Sequence, residues 1–443
     1  MTRLEALAQL TGAGLPYELE EIDALGRRVR AFKNAPVNLR ELFEAGRSDM
    51  PFIVYEDERL TFEQAWQASQ TLAAAMVADY GVEKGDRVAI SMRNYPEWII
   101  GFMAATSIGA IAVAMNALWQ PHEMEYGLKD SGAKLLLADQ ERLDRLAACD
   151  EPPTGLTVIA VRATKPLAPG AQSYEAVMAG AGAGGAAPPE REVGPDDDAI
   201  MLYTSGSTGH PKGAVSTHRN IMSALLSWEL DAQAGMLAGF SPVAGGPQPA
   251  ALLSIPLFHV SGLHVSLLQS FRAQRRLVCM YKWDPAQAVD IIEREQITGF
   301  NGPPAVTGDL VEIARRDGRD LSSLVAVGGG GASRAPEQVR AIDTAFPNAA
   351  PNTGWGMTET NAIGTSIAGA DYLAHPASSG RVSAVLDIRI VNEAGLTQPA
   401  GTRGELQIRG ASIMRGYWNR PDANDDTFVD GWMRTGDVAY VDA

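Results

Sequence analysis

Short apolar runs alternate along the chain with segments whose apolar residues recur at helical spacing. Arg87–Met92 has the length of a buried strand, and Trp98–Ala110 follows it with a helical pattern. The alternation continues through a strand at Ile111–Met115, a helix at Glu123–Asp130 and a strand at Lys134–Ala138. Repeated strand–helix–strand units predict an α/β fold built on doubly wound, mostly parallel sheets.

The same pattern predicts strands further along the chain, and one helix has a clear start. Asp284 is placed to cap a helix whose first position is Pro285, a combination that favours helix initiation. The further strands are expected at Ala199–Tyr203, Ala251–Ile255, Leu277–Met280 and Leu324–Val327.

Composition predicts where the chain divides. Ala179–Pro189 reads AGAGAGGAAPP, which favours a surface connection because it offers little to pack into a core. After Gly380, Leu386–Val391 and Gly404–Arg409 alternate apolar and polar residues on either side of the turn-rich Asn392–Arg403. We therefore predict a core over residues 1–380, with two α/β subdomains connected near residues 179–195, and a small β-rich, distorted-barrel subdomain over residues 381–443.

Overall composition narrows the class of protein. The 443 residues are 46% hydrophobic and 20% charged, which is typical of a globular protein with more than one core. A net charge of −16 excludes a general nucleic-acid surface but leaves room for a local anion site. Cys149 and Cys279 lack partner spacing, which favours a reducing compartment. We expect no secretory signal, no transmembrane segment and a cytoplasmic location.

The segment Tyr203–Ala214, YTSGSTGHPKGA, follows a predicted buried strand. Glycines let backbone N–H groups turn towards an anion, hydroxyls add donors, and Lys212 adds a positive charge. No Gly-Lys-Ser/Thr closes the segment, so a P-loop NTPase is disfavoured. A phosphate-binding loop is the favoured interpretation, and a flexible surface turn is the alternative.

This loop resembles the phosphate loop of the adenylate-forming (ANL) superfamily, which includes acyl-CoA synthetases, peptide-synthetase adenylation domains and beetle luciferases. Three further segments match family motifs in the same order: Phe258-His259-Val260 at the acyl site, Asn352–Glu359 (NTGWGMTE) at the Tyr-Gly-Met-Thr-Glu motif, and Gly416–Pro421 with Gly431–Asp437 at the late motifs. The resemblance, from near Ala35 to the end, implies the large AMP-binding domain of an AMP-forming acid–CoA ligase, with ATP, Mg²⁺ and CoA as cofactors and co-substrates.

The resemblance also implies a nucleotide site. The expected β- and γ-phosphate ligands are Thr204, Ser205, Gly206, Ser207, Thr208, Gly209 and Lys212. The rest of the ATP/AMP site would comprise Gly330, Gly331, Ala332, Asn352, Thr353, Gly354, Trp355, Gly356, Met357, Thr358 and Asp437. The run Gly328–Ser333 differs from the family's Gly-Gly-Ala-Pro-like run, so the residues that contact adenine are assigned only to within one position.

Several of these residues carry specific expected roles. Glu359 would hold Mg²⁺, which prefers oxygen ligands, and Thr358 would contact the α-phosphate. Asp437 would accept hydrogen bonds from both ribose hydroxyls. Trp355 replaces the family's usual tyrosine, which keeps a flat surface for adenine but removes the hydroxyl. The expected catalytic set is Thr204, Lys212, His259, Thr358 and Glu359.

The acyl pocket is expected to be uncharged. Its implied lining is His259, Val260, Leu263, Gly302, Gly328 and Trp355. Peptide-synthetase domains carry an aspartate where His259 stands, so an amino-acid substrate is disfavoured. An apolar acid, fatty or aromatic, suits a pocket without a fixed charge. A purely structural role for His259 stays open.

The resemblance implies a C-terminal lid domain, with a catalytic lysine, beyond Tyr440–Ala443. We therefore expect a fragment that binds ATP or acyl-adenylate but adenylates poorly. Transfer of the acyl group to an amine or carrier-protein thiol, a luciferase-like oxygenase, and a nucleotide-binding module without turnover are the alternatives. The expected partners are the carboxylic acid, ATP and CoA, with a homodimer left open.

Overall fold

The computed structural model describes residues 1–184, 188–204, 209–239 and 247–442. In these residues the helices are α1 Arg3–Thr11, α2 Leu39–Ala45, α3 Phe62–Ala78, α4 Pro96–Ser107, α5 Pro121–Ser131, α6 Gln140–Ala147, α7 Tyr174–Gly184, α8 His218–Leu237, α9 Gln269–Arg272, α10 Pro285–Glu295, α11 Pro304–Asp317, α12 Pro336–Ala345, α13 Gly369–Ala374 and α14 Pro421–Thr427. A π-helix, Ser261–Leu268, precedes α9, and a 3₁₀ turn spans Thr358–Thr360.

The strands form two large sheets, one smaller sheet and an N-terminal hairpin. In chain order they are β1 Leu19–Ala24, β2 Arg27–Phe32, β3 Pro51–Tyr55, β4 Glu58–Thr61, β5 Arg87–Ser91, β6 Ile111–Ala114, β7 Leu135–Asp139, β8 Thr157–Val161, β9 Gln172–Ser173, β10 Asp198–Thr204, β11 Lys212–Thr217, β12 Ala250–Leu253, β13 Arg276–Cys279, β14 Gly299–Asn301, β15 Ala326–Gly328, β16 Ala350–Trp355, β17 Thr365–Ala368, β18 Arg381–Val382, β19 Leu386–Val391, β20 Gly404–Gly410, β21 Gly416–Tyr417, β22 Phe428–Val429 and β23 Trp432–Ala439.

The first large sheet has the order β21-β11-β10-β6-β5-β7-β8-β9. Its strands run parallel from β10 to β9. At the other edge β11 pairs antiparallel with both β10 and β21. A short strand from late in the chain is thereby placed beside the hairpin that carries the predicted phosphate loop.

The second large sheet has the order β18-β17-β16-β15-β14-β12-β13-β3-β4. Its central strands, from β16 to β3, are parallel. Because parallel neighbours end at the same edge, the carboxyl ends of β14, β15 and β16 lie together. The second sheet also contains β3 and β4 from early in the chain, so its strands are not contiguous in sequence; the predicted division into subdomains stays a prediction.

The third sheet is antiparallel, with the order β19-β20-β23-β22. It is formed by residues after Gly380, where the alternation of apolar and polar residues predicts β-structure. Strand β19 has the predicted bounds Leu386–Val391. The largest apolar cluster lies between the two large sheets and contains residues of α3, α4, α8 and the π-helix. A second cluster covers the other face of the second sheet, under α10 and α11. The predicted α/β class with a β-rich part is confirmed.

The predicted helix start is also confirmed. Asp284 accepts a hydrogen bond from the backbone N–H of Gln287 at 3.0 Å, and Pro285 is the first residue of α10. The predicted strand Leu324–Val327 begins later, at Ala326.

The predicted surface connection Ala179–Pro189 is wrong in its first half. Helix α7 continues to Gly184, and residues 185–187 lie outside the described residues. Tyr174 and Val177 are buried, and α7 packs against α3. Tertiary packing of the first turns therefore outweighs the low helix propensity of the glycines that follow.

The described part of the chain contains no helix that is both long enough and apolar enough to cross a membrane. Cys149 and Cys279 are free thiols, and Cys279 is buried.

Candidate active site

The ends of the predicted phosphate loop are held together by strand pairing. Thr204 at the end of β10 is opposite Lys212 at the start of β11, and the Thr204 hydroxyl donates to the Lys212 carbonyl at 3.5 Å. Tyr203, Thr204 and Lys212–Ala214 thus lie on strands rather than in a loop. Gly209 has a φ of +133°, a conformation that favours glycine. Ser205, Gly206, Ser207 and Thr208 lie outside the described residues.

The pairing of β21 with β11 brings Tyr417 to Lys212. Ala214 is opposite Tyr417 in this pairing. The Lys212 ammonium nitrogen lies 4.4 Å from the centre of the Tyr417 ring, within the range of a cation–π contact. The lysine is therefore steered towards one side of the hairpin by an aromatic ring from a late motif.

Tyr417 also holds the carboxylate expected to bind the metal. Its hydroxyl donates to Oε1 of Glu359 at 2.6 Å, and the two residues are only 7% and 6% exposed. Burial, followed by the charge of Glu359, raises the pKa of Tyr417 well above its usual value, so the hydroxyl stays a donor. We call Lys212, Tyr417 and Glu359 the tyrosine–glutamate cluster.

The turn that carries Glu359 is fixed by buried hydrogen bonds. Asn361, fully buried, donates from its amide to the Ser216 hydroxyl at 3.0 Å and to the Ser412 carbonyl at 2.8 Å. Asn361 and Ala362 both have positive φ, +57° and +63°, an uncommon conformation for residues other than glycine. These hydrogen bonds thus fix the turn both to β11 and to the segment before β21.

Glycines allow the ends of β14, β15 and β16 to pack closely. Gly329 has a φ of +130°, and a Cβ there would lie 2.6 Å from the Gly302 carbonyl oxygen. The Gly302 N–H donates to the Gly328 carbonyl at 2.8 Å, and the Thr353 hydroxyl donates to the Gly329 carbonyl at 3.0 Å. Gly330 lies in the same way against Gly354. Most of the residues predicted around adenine and the acyl group therefore meet at one sheet edge; Gly331 and Ala332 are exposed just beyond it.

Arg334 supports this glycine edge and was missed by the sequence analysis. Its buried guanidinium donates to the Thr307 hydroxyl at 2.5 Å and to the Gly302 carbonyl at 3.5 Å. Burial lowers the pKa of Arg334. A positive charge thus lies directly behind Gly302, in a region that the motifs suggest is uncharged.

Trp355 and Asp437 meet across the gap between the second and third sheets. The indole Nε1–H of Trp355, at the end of β16, donates to Oδ2 of Asp437 on β23 at 2.8 Å. Trp355 is half-buried, and Asp437 is exposed. We call these two residues the tryptophan–aspartate pair.

The predicted acyl residues fall into two settings. His259 is exposed and lies in the turn before the π-helix, six residues after β12 ends at Leu253. Its Nδ1 accepts from the Ser261 N–H at 3.2 Å. Val260 and Leu263 are buried in the apolar cluster between the large sheets. The structure therefore supplies an apolar wall behind an exposed histidine.

The donor groups fit a magnesium ion that arrives with a nucleotide. No group of three or more His, Cys, Asp or Glu side chains that could hold a metal occurs in the described ranges. Mg²⁺ does not require one, because it commonly binds one or two carboxylates together with substrate phosphates and water. Glu359 offers such a carboxylate beside the hairpin of the predicted phosphate loop.

Of the predicted site residues, Lys212 and Glu359 contact the same Tyr417, and Trp355 contacts Asp437 directly. The structure reveals Tyr417, Asn361 and Arg334 as supporting residues that were not predicted. Tyr417 had a signal, because it lies in the quoted motif Gly416–Pro421, whereas the contacts of Asn361 and Arg334 depend on chain pairing that spacing does not reveal.

Most of this chain is similar to known proteins. A family model described as AMP-binding enzyme matches residues 41–418. A protein named 4-coumarate–CoA ligase 2 from Oryza sativa subsp. japonica is 32% identical over 385 residues, covering 84% of this chain and 66% of that protein. A protein named long-chain-fatty-acid–CoA ligase FadD13 from Mycobacterium tuberculosis (strain CDC 1551 / Oshkosh) is 30% identical over 392 residues, covering 87% of this chain and 72% of that protein.

A solved structure gives the same result for the fold. The inhibitor-bound N-terminal domain of FACL13 from Mycobacterium tuberculosis superposes with a TM-score of 0.78 at 27% identity, covering 92% of this chain and 97% of that domain. The chain spans about two thirds of the length of the curated relatives, 66% and 72%. Since the family model covers most of its length, the chain belongs to the AMP-binding enzyme family of the adenylate-forming superfamily.

Proposed function

We propose that the protein uses ATP to convert an apolar carboxylic acid into an acyl-adenylate and then into a CoA thioester. The observation that carries this proposal is that Lys212 and Glu359 both contact Tyr417 beside the hairpin of the predicted phosphate loop, while Trp355, four residues before Glu359 in the chain, donates to Asp437. These four residues are the ones that family resemblance assigns to phosphates, metal, adenine and ribose.

In the first half-reaction a carboxylate oxygen of the acid attacks the α-phosphorus of ATP. A new P–O bond forms, the bond to the bridging oxygen breaks, and pyrophosphate leaves. In the second half-reaction the CoA thiolate attacks the acyl carbon, and AMP leaves as the C–O bond breaks. Both steps move negative charge, so positioned donors and cations are the main help that a protein can give.

The tyrosine–glutamate cluster would serve the phosphates. Lys212 supplies a positive charge that the Tyr417 ring holds beside the hairpin. Thr204 and the glycines and hydroxyls of Ser205–Gly209 would add donors. Thr358, directly before Glu359, would donate to the α-phosphate, and it begins the 3₁₀ turn that hydrogen bonds hold in place.

Mg²⁺ would neutralise phosphate charge when it is bound with ATP. Glu359 would hold it through a carboxylate that Tyr417 keeps oriented. The burial of this pair keeps water away from the remaining carboxylate surface, which strengthens its attraction for a cation.

The acyl group would lie between His259 and the glycine edge formed by Gly302 and Gly328. Val260 and Leu263 give this region an apolar wall, which supports a fatty or aromatic acid. The printed names of the two relatives, a 4-coumarate ligase and a long-chain-fatty-acid ligase, span the same two classes. They also support CoA as the acceptor.

A hydroxylamine-trapping screen of carboxylic acids tests this function when it is run on the full-length protein, with and without CoA, because the chain alone is expected to adenylate poorly. We expect ATP-dependent hydroxamate from fatty or aromatic acids, little from amino acids, and diversion to thioester when CoA is added. Lys212→Met should lower the yield about 100-fold, whereas the exposed Lys282→Met serves as the matched control. Hydroxamate unaffected by CoA would favour another acceptor, and no hydroxamate from any acid would contradict the proposal.

A further inference from the structure

The indole of Trp355 lies where the family usually has a tyrosine, and it does more than present a flat ring. Its Nε1–H donates to Oδ2 of Asp437 at 2.8 Å. The two residues belong to different sheets, so this bond links the second sheet with the third across the candidate nucleotide site. Because a tyrosine has no N–H at this position of its ring, the contact is a property of the residue that this chain carries.

The orientation of the indole is fixed by the Gly364 backbone, against which it packs. A Cβ built on Gly364 would lie 2.5 Å from Cε3 and 2.7 Å from Cζ3 of Trp355, so the six-membered ring rests directly on the Gly364 backbone. Trp355 also pairs with Thr365 of β17 and packs beside Met357 against the cluster at the base of the third sheet. The ring therefore cannot tilt freely, and the direction of its N–H is set.

Among the described residues, the Asp437 carboxylate accepts no hydrogen bond other than that of Trp355. Asp437 is exposed and directly follows Gly436, which has a φ of +75° within β23. Its backbone N–H donates to the Thr435 hydroxyl at 3.1 Å, which orders the main chain but not the carboxylate. An exposed aspartate can rotate its carboxylate, and binding a ligand then requires that this freedom be lost.

We infer that Trp355 is a positioning residue for ribose recognition, which holds Oδ2 of Asp437 so that the rest of the carboxylate faces the ribose hydroxyls. A carboxylate has room for about four hydrogen bonds, so one donor from the indole leaves acceptors for two hydroxyls. This inference rests on the proposed function, because it assumes that Asp437 meets the ribose of ATP.

The effect can be separated from adenine stacking. Both ATP and 2′,3′-dideoxy-ATP present the same adenine, so the ratio of their dissociation constants reports the ribose contact alone. Trp355→Phe keeps one aromatic ring and removes the N–H donor together with the second ring of the indole, and the loss of stacking area acts on both nucleotides alike. Trp432→Phe is a matched control on β23, where the indole stacks with Arg389 and Arg409 away from Asp437.

Titration calorimetry on the whole chain should give a ratio of about tenfold for the wild type, because hydrogen bonds to a charged acceptor are lost in the dideoxy nucleotide. In Trp355→Phe the ratio should fall to about threefold, from weaker ATP binding, while Trp432→Phe keeps the wild-type ratio. In an Asp437→Ala background, which removes the acceptor of the indole N–H, Trp355→Phe should cause no further change in the ratio, which a general structural defect would not reproduce.

A wild-type ratio retained in a folded Trp355→Phe protein would overturn the inference and leave the proposed function intact. A further change of the ratio on Trp355→Phe in the Asp437→Ala background would also overturn it. A wild-type chain that binds neither nucleotide would overturn the proposed function and this role of Trp355 together.

Discussion

Two carboxylates in the candidate site are each held by one aromatic donor, yet their surroundings differ. Tyr417 donates to Glu359 at 2.6 Å, and Trp355 donates to Asp437 at 2.8 Å. The first pair is almost fully buried, whereas Asp437 is exposed to solvent. We therefore expect the Tyr417–Glu359 hydrogen bond to stabilise the fold, and the Trp355–Asp437 hydrogen bond only to orient the Asp437 carboxylate.

The two pairs should differ in how much free energy of unfolding is lost when the donor is removed, because one carboxylate is buried and the other is exposed. A buried carboxylate that loses its donor is left without a partner and without water, which costs about 1–3 kcal/mol or more. An exposed carboxylate that loses its donor is hydrated at once. The tyrosine–glutamate cluster should thus couple ligand binding to stability, and the tryptophan–aspartate pair should affect ligand binding alone.

The largest expected effect is a loss of affinity for the ATP phosphates when Lys212 is replaced. Lys212→Met should weaken ATP binding about 50-fold, because charge-assisted contacts to the β- and γ-phosphates are lost. AMP binding should change little, since AMP lacks those phosphates. Calorimetric titration with both nucleotides measures the two effects, with Lys282→Met as control; an equal loss for ATP and AMP would place Lys212 elsewhere than beside the terminal phosphates.

Next in size is the effect on stability. Tyr417→Phe should lower the free energy of unfolding by about 2 kcal/mol, because the buried side chain of Glu359 loses its hydrogen-bond donor. Trp355→Phe should lower it by less than about 1 kcal/mol. Urea unfolding of both variants makes the comparison, and equal losses would show that burial does not separate the two pairs.

Removing the exposed carboxylate should act on nucleotides without affecting the fold. Asp437→Ala is expected to weaken ATP and AMP about tenfold each, since both contain the ribose. Its urea midpoint should stay at the wild-type value. Unchanged nucleotide affinity would reject the ribose role of Asp437. A large loss of stability would contradict the view that the tryptophan–aspartate pair affects ligand binding alone.

The smallest expected effect concerns the metal. Glu359→Gln should raise the Mg²⁺ concentration needed for half-maximal ATP binding about fivefold, because one charged oxygen ligand becomes neutral. Asp437→Ala is the comparison variant and should leave the Mg²⁺ requirement unchanged. Coinciding Mg²⁺ titrations for wild type and Glu359→Gln would mean that the carboxylate is not a metal ligand.

Local patterns in the sequence were sufficient to predict the central strands of the first sheet, whereas β11, β14, β16, β21 and β23 beside the candidate site were not predicted. Arg87–Met92, Ile111–Met115 and Ala199–Tyr203 match β5, β6 and β10 closely, because buried parallel strands are short continuous apolar runs. The glycine-rich Ala179–Pro189 misled the prediction, since Tyr174 and Val177 hold the start of α7 against α3 and so extend a helix that composition disfavours.

The motifs identified the residue types of the site, and long-range pairing determined which of them meet. Tyr417 reaches Glu359, 58 positions away, because β21 adds to the edge of β11. Asn361 likewise depends on contacts with Ser216 and Ser412. Such contacts follow from the order of strands in a sheet, which the spacing of motifs does not specify.

The most direct test of the central claim is the binding of a stable acyl-adenylate analogue, because it requires both halves of the site but no turnover. A 5′-O-(N-acylsulfamoyl)adenosine with an apolar acyl group should bind at least about 100-fold more tightly than AMP. Asp437→Ala should weaken this binding about tenfold. An analogue that binds no more tightly than AMP would contradict the account of a joined nucleotide and acyl site.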